Sequence, residues 1–137
     1  MGRTGGCLCG AVRYELSVEP VAFYLCHCTD CRKASGGAYS ASARLPRDGV
    51  QILSGEVTRF ESPGGSGQLV CREFCGRCGS QLFSTSRVRP DGMVVRVGSL
   101  DDASGTAPKL HIWTHSALDW AIPDDGAPRL SRGPGQD

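Results

Sequence analysis

The sequence predicts a mainly β domain with at most one or two short helical turns, and three observations favour this class. Glycine accounts for 19 of 137 residues and proline for 8, and the usual share of glycine is only about 7%. Several short segments alternate apolar and polar residues with a period of two, which is typical of strands with one buried face. Three groups of closely spaced cysteines interrupt these segments. A chain of this length is expected to form one hydrophobic core.

The strands follow one another along the chain, separated by turns rich in Gly, Pro and Ser. The first is the clearest, because Val12, Tyr14, Leu16 and Val18 alternate with Arg, Glu and Ser. Further short strands are predicted at residues 22–26, 38–45, 50–53, 57–61, 68–74, 81–84, 93–97 and 110–114.

Helix, loop and tail complete the predicted organisation. Residues 30–35 fit one helical turn, which Gly36 and Gly37 would end. Residues 62–67 read Ser-Pro-Gly-Gly-Ser-Gly and form the predicted flexible loop. We predict a single domain at residues 1–124 and a flexible tail, rich in Gly and Pro, at residues 125–137.

Charge and targeting patterns exclude several classes of partner. The formal charge is +1, and seven zinc-bound thiolates with two zinc ions would change it to −2, so nucleic-acid binding has no electrostatic basis. No signal-peptide pattern opens the chain and no apolar stretch reaches about 18 residues, which predicts a cytoplasmic protein without a membrane partner. In the reducing cytoplasm, eight cysteines favour metal ligation over the alternative of disulfides.

Two cysteine pairs have the spacing of a structural metal site. Cys75 and Cys78 form a C-x-x-C turn with glycines inside and after it. Two sulfurs on one zinc lie about 3.8 Å apart, which such a turn can satisfy. Cys7 and Cys9, also flanked by glycines, are the natural candidate for the second half-site. The pair of turns would join the start of the chain to its middle.

A third group, Cys26, Cys28 and Cys31, supplies three thiolates within six residues. Three ligands leave the fourth position of a zinc ion open. Cys71 stays unassigned, and an isolated cysteine among apolar strand residues is typically a small buried hydrophobe. His27 lies between two of the ligands, so we expect its side chain to point away from the metal.

Two further histidines, His111 and His115, lie four residues apart around Trp113. On a helix this spacing would resemble a metal-binding pair, but the neighbouring residues fit a strand equally well. We interpret them as residues that pack on a surface.

An open zinc held by three thiolates favours thiol chemistry. Three anionic sulfurs make the ion a poorer Lewis acid than zinc held by neutral histidines, so activation of water is not its best use. Zinc is borderline soft, and a coordinated thiol is deprotonated outright. The resulting thiolate could add to a small carbonyl compound at neutral pH, and the reverse reaction would cleave a carbon–sulfur bond.

Four segments together resemble a known enzyme family. They are GCLCGAVRY at 6–14, CHCTDCRK at 26–33, FCGRCGS at 74–80 and HIW at 111–113. In order, spacing and flanking glycines they are similar to the glutathione-dependent formaldehyde-activating enzyme family, whose domain also occurs in centromere protein V. The resemblance covers residues 5–124.

This resemblance implies a β-tent fold of twisted antiparallel sheets stapled by zinc. It implies two zinc ions per chain, a structural one at Cys7, Cys9, Cys75 and Cys78 and a catalytic one at Cys26, Cys28 and Cys31. The implied activity is that of a carbon–sulfur lyase, in which glutathione adds reversibly to formaldehyde to give S-(hydroxymethyl)glutathione. The partners are then a small thiol and a small aldehyde.

Other assignments stay open at this level. Polar residues beside the three cysteines, which could position a substrate, are Thr29, Asp30, Arg32 and Lys33; no general base can be chosen. A protein-binding module with two structural zincs is an alternative, and Cys71 as a fourth sulfur would favour it. A thiol redox sensor, which would release zinc on mild oxidation, is another. The oligomeric state is also open.

Overall fold

The computed structural model describes residues 2–134 and forms ten strands and one α-helix within them. The strands are β1 (Thr4–Gly6), β2 (Arg13–Leu16), β3 (Ala22–Cys26), β4 (Ser40–Pro46), β5 (Val50–Ser54), β6 (Thr58–Pro63), β7 (Leu69–Phe74), β8 (Gln81–Ser86), β9 (Arg89–Arg96) and β10 (His111–Ile112). Helix α1 spans Thr29–Ser35, and 3₁₀ turns occupy Arg47–Gly49, Val97–Ser99 and Thr114–Ser116. The mainly β class is therefore confirmed, with three 3₁₀ turns in addition to the short helix.

The strands form two sheets. The smaller has the order β1–β2–β5, and the larger has the order β10–β3–β4–β9–β8–β7–β6. All neighbouring strands pair antiparallel except β10, which runs parallel to β3. The expected antiparallel architecture thus holds for every pair but this one.

One face of the larger sheet packs against β2 to form the hydrophobic core. The strand register places Phe83, Val95 and Ala43 side by side on three neighbouring strands, and all three are buried. Tyr14 of β2 packs edge-on against Phe83, with ring centroids 5.0 Å apart. Because burial of one large apolar side chain stabilises a fold by about 1.5–3 kcal/mol, this contact layer holds the two sheets together.

The opposite face of the larger sheet is polar. Neighbouring residues of a strand point to opposite faces, so Ser42 and Arg44 of β4 face away from Ala43 and the core. Arg96 of β9 pairs with Ser42 in the ladder, and its Nη1 donates a hydrogen bond to Ser42 Oγ at 2.8 Å. This polar face borders a cavity.

Helix α1 is short because capping groups lie at both of its ends. At the start, the Sγ atom of Cys28 accepts a hydrogen bond from the N–H of Cys31 at 3.2 Å. At the end, Gly36 has a left-handed φ of 73° and its N–H donates to the carbonyl of Arg32 at 2.8 Å. The predicted helical turn and its glycine stop are confirmed. No helix among residues 2–134 is long and apolar enough to span a membrane.

Three strands differ from the sequence-based prediction by more than a shift of one or two residues at an end. Strand β1 is absent from it, because two of its three residues are glycine and show no alternation. Strand β9 begins four residues before the predicted start, since Arg89 pairs with Ser86 of β8. Strand β10 has only two of the five residues predicted, because Trp113 adopts a left-handed φ of 57° and ends it.

The predicted tail, residues 125–137, lies partly outside the described residues, which end at 134. Its described part runs beside β10. The N–H of His111 donates to the carbonyl of Pro128 at 2.9 Å, and the N–H of Leu130 donates to the carbonyl of His111 at 2.8 Å. These bonds connect residues 128–130 to the larger sheet, while the domain boundary at residue 124 stays a prediction.

Candidate metal centres and the adjoining cavity

Two turns bring four cysteine thiols together. Cys7 and Cys9 follow β1, and Cys75 and Cys78 follow β7. The Sγ atoms of Cys7 and Cys9 are 3.6 Å apart, and those of Cys9 and Cys75 are 3.8 Å apart. All four Sγ atoms lie within 4.8 Å of one another. Because two sulfurs on a tetrahedral zinc are about 3.8 Å apart, this group could hold a metal ion.

The backbone of these turns directs N–H groups at the sulfurs. The N–H of Val12 donates to Cys7 Sγ at 3.2 Å, and the N–H of Arg77 donates to Cys75 Sγ at 3.4 Å. Such donors stabilise an anionic sulfur. Gly79 closes the second turn with a φ of 79°, a conformation that favours glycine. Gly79 therefore helps to set the turn that holds Cys75 and Cys78.

The second group consists of Cys26, Cys28 and Cys31, at the junction of β3 and α1. Their Sγ atoms also lie within 4.8 Å of one another; Cys26 and Cys31 are buried and Cys28 is half-buried. Hydrogen bonds with Cys28 and Cys31 raise the pKa of Cys26, whereas hydrogen bonds from Cys26 and Cys28 lower the pKa of Cys31. The opposite pKa shifts indicate that the three thiols lie too close together to ionise at once without a cation. Thiols that bind one metal ion must lie this close together.

A cavity of about 340 Å³ adjoins the three-cysteine group. All three of these cysteines line it, and its floor is the polar face of the larger sheet. Residues 64–66, Trp113 and Pro134 contribute further walls, whereas the described lining includes no member of the four-cysteine group. The volume lies within the range of small-molecule pockets, roughly 300–1,000 Å³. A small ligand can therefore reach the three sulfurs.

Cys71 belongs to neither group. Its strand neighbours Val70 and Arg72 line the cavity and Cys71 does not, because neighbouring residues of a strand point to opposite faces. Cys71 is half-buried, and burial raises the pKa of its thiol. Within residues 2–134, the three-cysteine group has no fourth protein ligand.

His27 contacts a second histidine instead of the sulfurs. Its Nε2 lies 3.3 Å from Nδ1 of His111, and its ring centroid is 5.3 Å from that of Tyr39. His111 is fully buried, so the prediction that it packs on a surface is wrong. The reason is the segment at residues 128–130, which covers the outer edge of β10. His115 is exposed.

The charged groups that line the cavity are mostly ones that the sequence pattern did not indicate. Of the four polar residues expected to position a substrate, Asp30 lines it, and Thr29, Arg32 and Lys33 do not. Its cationic lining consists of Arg44, Arg72, Arg89 and Arg96. Alternation along each strand could have assigned these arginines to a polar face, but it does not reveal which strands are neighbours.

Together, the fold and the two thiol groups define a class of protein: a mainly β domain with two cysteine sites able to hold metal, one of which adjoins a small-molecule cavity. The family model described as glutathione-dependent formaldehyde-activating enzyme matches residues 2–116. The chain belongs to this family, as the resemblance of its four segments predicted.

Two individual proteins agree with this placement. A Halomonas elongata protein named "Putative glutathione-dependent formaldehyde-activating enzyme" is 30% identical over 127 residues, which cover 85% of this chain and 77% of that protein. The crystal structure of a Rhodobacter sphaeroides protein superposes with a TM-score of 0.55 at 25% identity, covering 92% of this chain and 98% of that one. The second comparison supports the fold.

Proposed function

We propose that this protein is a zinc-dependent enzyme of the carbon–sulfur lyase type, which adds a small thiol, glutathione in the first instance, reversibly to formaldehyde or another small aldehyde. The observation that carries the proposal is the three-cysteine group open to a cavity of about 340 Å³. Three protein sulfurs leave one position of a tetrahedral ion for a substrate. The family, and the name of the Halomonas relative, support glutathione and formaldehyde as substrates.

Cys26, Cys28 and Cys31 would hold the zinc ion of this site, since clustered thiolates suit zinc. When bound, zinc would lower the pKa of the substrate thiol, so that the thiolate is present at neutral pH. The protein fixes the ligands through the backbone: the N–H of Cys31 donates to Cys28 Sγ at 3.2 Å. Cys26 is held at the end of β3 by its pairing with Ser40.

The reaction needs no oxidant or reductant. The substrate sulfur forms a bond to the aldehyde carbon, the carbonyl π electrons move to oxygen, and that oxygen receives the proton that the thiol has lost. The reverse reaction breaks the carbon–sulfur bond and restores thiol and aldehyde. An enclosed site favours this step because it holds both reactants in contact.

Tyr24 is the residue that we assign to the aldehyde oxygen. It lines the cavity with the three cysteines, and it packs against the buried cluster of Cys26, Cys31 and Ile112. Burial raises the pKa of Tyr24 to about 12, so its hydroxyl keeps its proton at neutral pH. A protonated phenol can donate a hydrogen bond to the oxygen that gains negative charge in the reaction.

The four-cysteine group is assigned to a structural zinc, which makes two zinc ions per chain. It joins residues 7–9 to residues 75–78, and Cys7 and Cys75 are buried. An ion that closes so long a loop stabilises the folded state, because its binding free energy becomes folding free energy. None of the eight cysteines forms a disulfide, which suits a reducing compartment such as the cytoplasm.

Metal analysis and exchange NMR on one sample test this function. We expect two zinc ions per chain by mass spectrometry, and faster exchange between free formaldehyde and its glutathione adduct when the protein is added. Two zinc ions without faster exchange would overturn the named activity and would favour the protein-binding module instead.

A further inference from the structure

The cavity beside the three cysteines carries an excess of positive charge. Four arginines line it, and Asp30 is the one acidic side chain in its described lining. The ion pairs found among residues 2–134 involve other basic residues, so these arginines have no carboxylate partner there. Three thiolates with a zinc ion would add a net charge of −1, so with Asp30 two negative charges would face four arginines. The remaining positive charge attracts an anionic ligand.

Arg72 is the most enclosed of these cations. Its side chain belongs to a residue that is only 7% exposed, and its Nε has no hydrogen-bond acceptor among the described residues. The adjacent carboxylate of Glu73 does not serve it, because Glu73 is paired with Arg59 at 2.7 Å. A buried cation without a partner is costly, and a ligand carboxylate in the cavity would remove that cost.

Arg96 is held in place by hydroxyl groups. Its Nη1 donates to Ser40 Oγ at 3.2 Å and to Ser42 Oγ at 2.8 Å. These acceptors are neutral, so they orient the guanidinium without cancelling its charge. Ser40 pairs with Cys26 in the β3–β4 ladder, and Arg96 therefore lies beside the three-cysteine group.

Ser84 brings the two arginines together. Its Oγ accepts a hydrogen bond from Nη2 of Arg96 at 3.5 Å, and Arg72 stands directly opposite it in the β7–β8 ladder. Opposite residues in an antiparallel pair have Cα atoms about 4.5–5.5 Å apart. Arg72 and Arg96 thus both neighbour Ser84 on the sheet, and both side chains line the cavity. The planar fork of a guanidinium matches a carboxylate.

We propose that Arg72 and Arg96 bind a carboxylate of the substrate, so that the site selects thiols that carry a carboxylate over neutral thiols. The selection among thiols rests on the proposed function, whereas binding of the anion does not. Glutathione and 3-mercaptopropionate belong to the selected class, and 2-mercaptoethanol does not.

S-methylglutathione tests the arginines without thiol chemistry, because its sulfur is blocked and its carboxylates remain. In calorimetric titrations of the zinc-loaded protein, Arg72→Gln should weaken its binding about tenfold or more, the usual effect of losing a hydrogen bond to a charged group. Arg87→Gln makes the same change at an exposed position outside the cavity and should alter the dissociation constant less than about twofold. Equal binding by wild type and Arg72→Gln would overturn the proposal.

Cobalt in place of zinc tests the selection among thiols. The cysteine sulfurs already give bound Co²⁺ a charge-transfer absorption band, and the increase in this band when an added thiolate coordinates reports the apparent affinity of each thiol. We expect wild type to bind 3-mercaptopropionate about tenfold or more tightly than 2-mercaptoethanol, and Arg72→Gln to lose this preference. Equal affinity of wild type for the two thiols would overturn the selection and leave the proposed function intact.

The two titrations separate the two hypotheses. If no thiol changes the cobalt spectrum but S-methylglutathione binding still depends on Arg72, the proposed function fails and the anion site stands. Competition with inorganic phosphate and with propionate tests which kind of anion the site prefers. If phosphate displaces S-methylglutathione at a lower concentration than propionate does, the carboxylate assignment is overturned. If Arg72→Gln does not fold, Arg72→Lys decides, because it keeps the charge, loses the fork, and should still weaken binding measurably.

Discussion

His27 Nε2 lies 3.3 Å from His111 Nδ1, and both imidazoles are fully buried. On the far side, His111 Nε2 lies 3.0 Å from the carboxylate of Asp125. Because a carboxylate only accepts, we infer that His111 carries its proton on Nε2 and that its Nδ1 accepts the Nε2–H of His27. Burial lowers the pKa of His27, which keeps it neutral. This chain of hydrogen bonds connects the loop between Cys26 and Cys28 to Asp125.

Removal of the central imidazole should destabilise the protein. His111→Phe leaves the Nε2–H of His27 buried without an acceptor, which costs about 1–3 kcal/mol. The free energy of unfolding, measured with denaturant on the zinc-loaded protein, should fall by that amount. His115→Phe is the control, because His115 is exposed and water can replace its hydrogen bond to the Ser131 carbonyl, so it should cost less than about 1 kcal/mol. Equal losses in the two variants would contradict the role of the buried pair.

The two cysteine groups should respond differently to loss of one ligand. Cys28→Ser should remove one zinc ion and the activity while the fold survives, since Cys28 is half-buried and borders the cavity. Cys78→Ser should lower the unfolding free energy by several kcal/mol, because a structural zinc supplies about 10–16 kcal/mol of binding free energy to folding. Zinc content, circular dichroism and denaturant unfolding measure the difference. An equal loss of unfolding free energy in the two variants would contradict the assignment of one structural and one catalytic zinc ion.

Tyr24→Phe removes a hydroxyl from the cavity and leaves the ring that packs against the cluster containing Cys26. If the hydroxyl stabilises the developing oxygen anion, kcat should fall by about 10²-fold, as for loss of one such donor in other enzymes, with zinc content unchanged. Tyr39→Phe is the matched control, because Tyr39 does not line the described cavity. An unchanged kcat in Tyr24→Phe would remove Tyr24 from the mechanism.

The loop at residues 64–66 meets the cavity wall at Trp113. A Cβ atom on Gly65 would lie 2.5 Å from Cη2 of the indole, so Gly65→Ala should displace Trp113 and shift its fluorescence emission to longer wavelength. The measurement needs a Trp120→Phe background, because Trp120 is the second tryptophan of the chain and is 74% exposed. Gly98→Ala, where an added Cβ meets nothing within 4 Å, should leave the spectrum unchanged. An unshifted spectrum in Gly65→Ala would contradict this contact.

Local chemistry made the cysteine groups predictable from sequence. C-x-C and C-x-x-C turns bring their own sulfurs together within a few residues. The helix end at Gly36 was predictable because glycine readily adopts the left-handed conformation, which the structure shows as a φ of 73°. Spacing alone offered Cys7 and Cys9 as the natural partners of Cys75 and Cys78, and the family resemblance supported that choice. The structure brings the four sulfurs within 4.8 Å of one another.

Features that depend on distant contacts were not predictable in this way. The burial of His111 requires residues 128–130 beside β10, and the early end of that strand requires a left-handed Trp113. The placement of Arg72 and Arg96 on one cavity depends on the registers of three neighbouring strands. Each residue could be assigned to a polar face, but their proximity is a property of the whole sheet.

The short parallel pairing of β10 with β3 also has a consequence for the order of folding. Two residues form too few hydrogen bonds to persist alone, so β10 needs β3 on one side and residues 128–130 on the other. Joining His111 to Leu25 closes a long stretch of chain, which is entropically costly and slow. We expect the cavity wall formed by Ile112 and Trp113 to form last, after the antiparallel sheets. In stopped-flow refolding of the Trp120→Phe variant, the fluorescence of Trp113 should then settle later than the β-sheet circular dichroism signal. During synthesis, this wall would then form only once residues 128–130 have left the ribosome, so the cavity depends on a segment about 100 residues after the three cysteines.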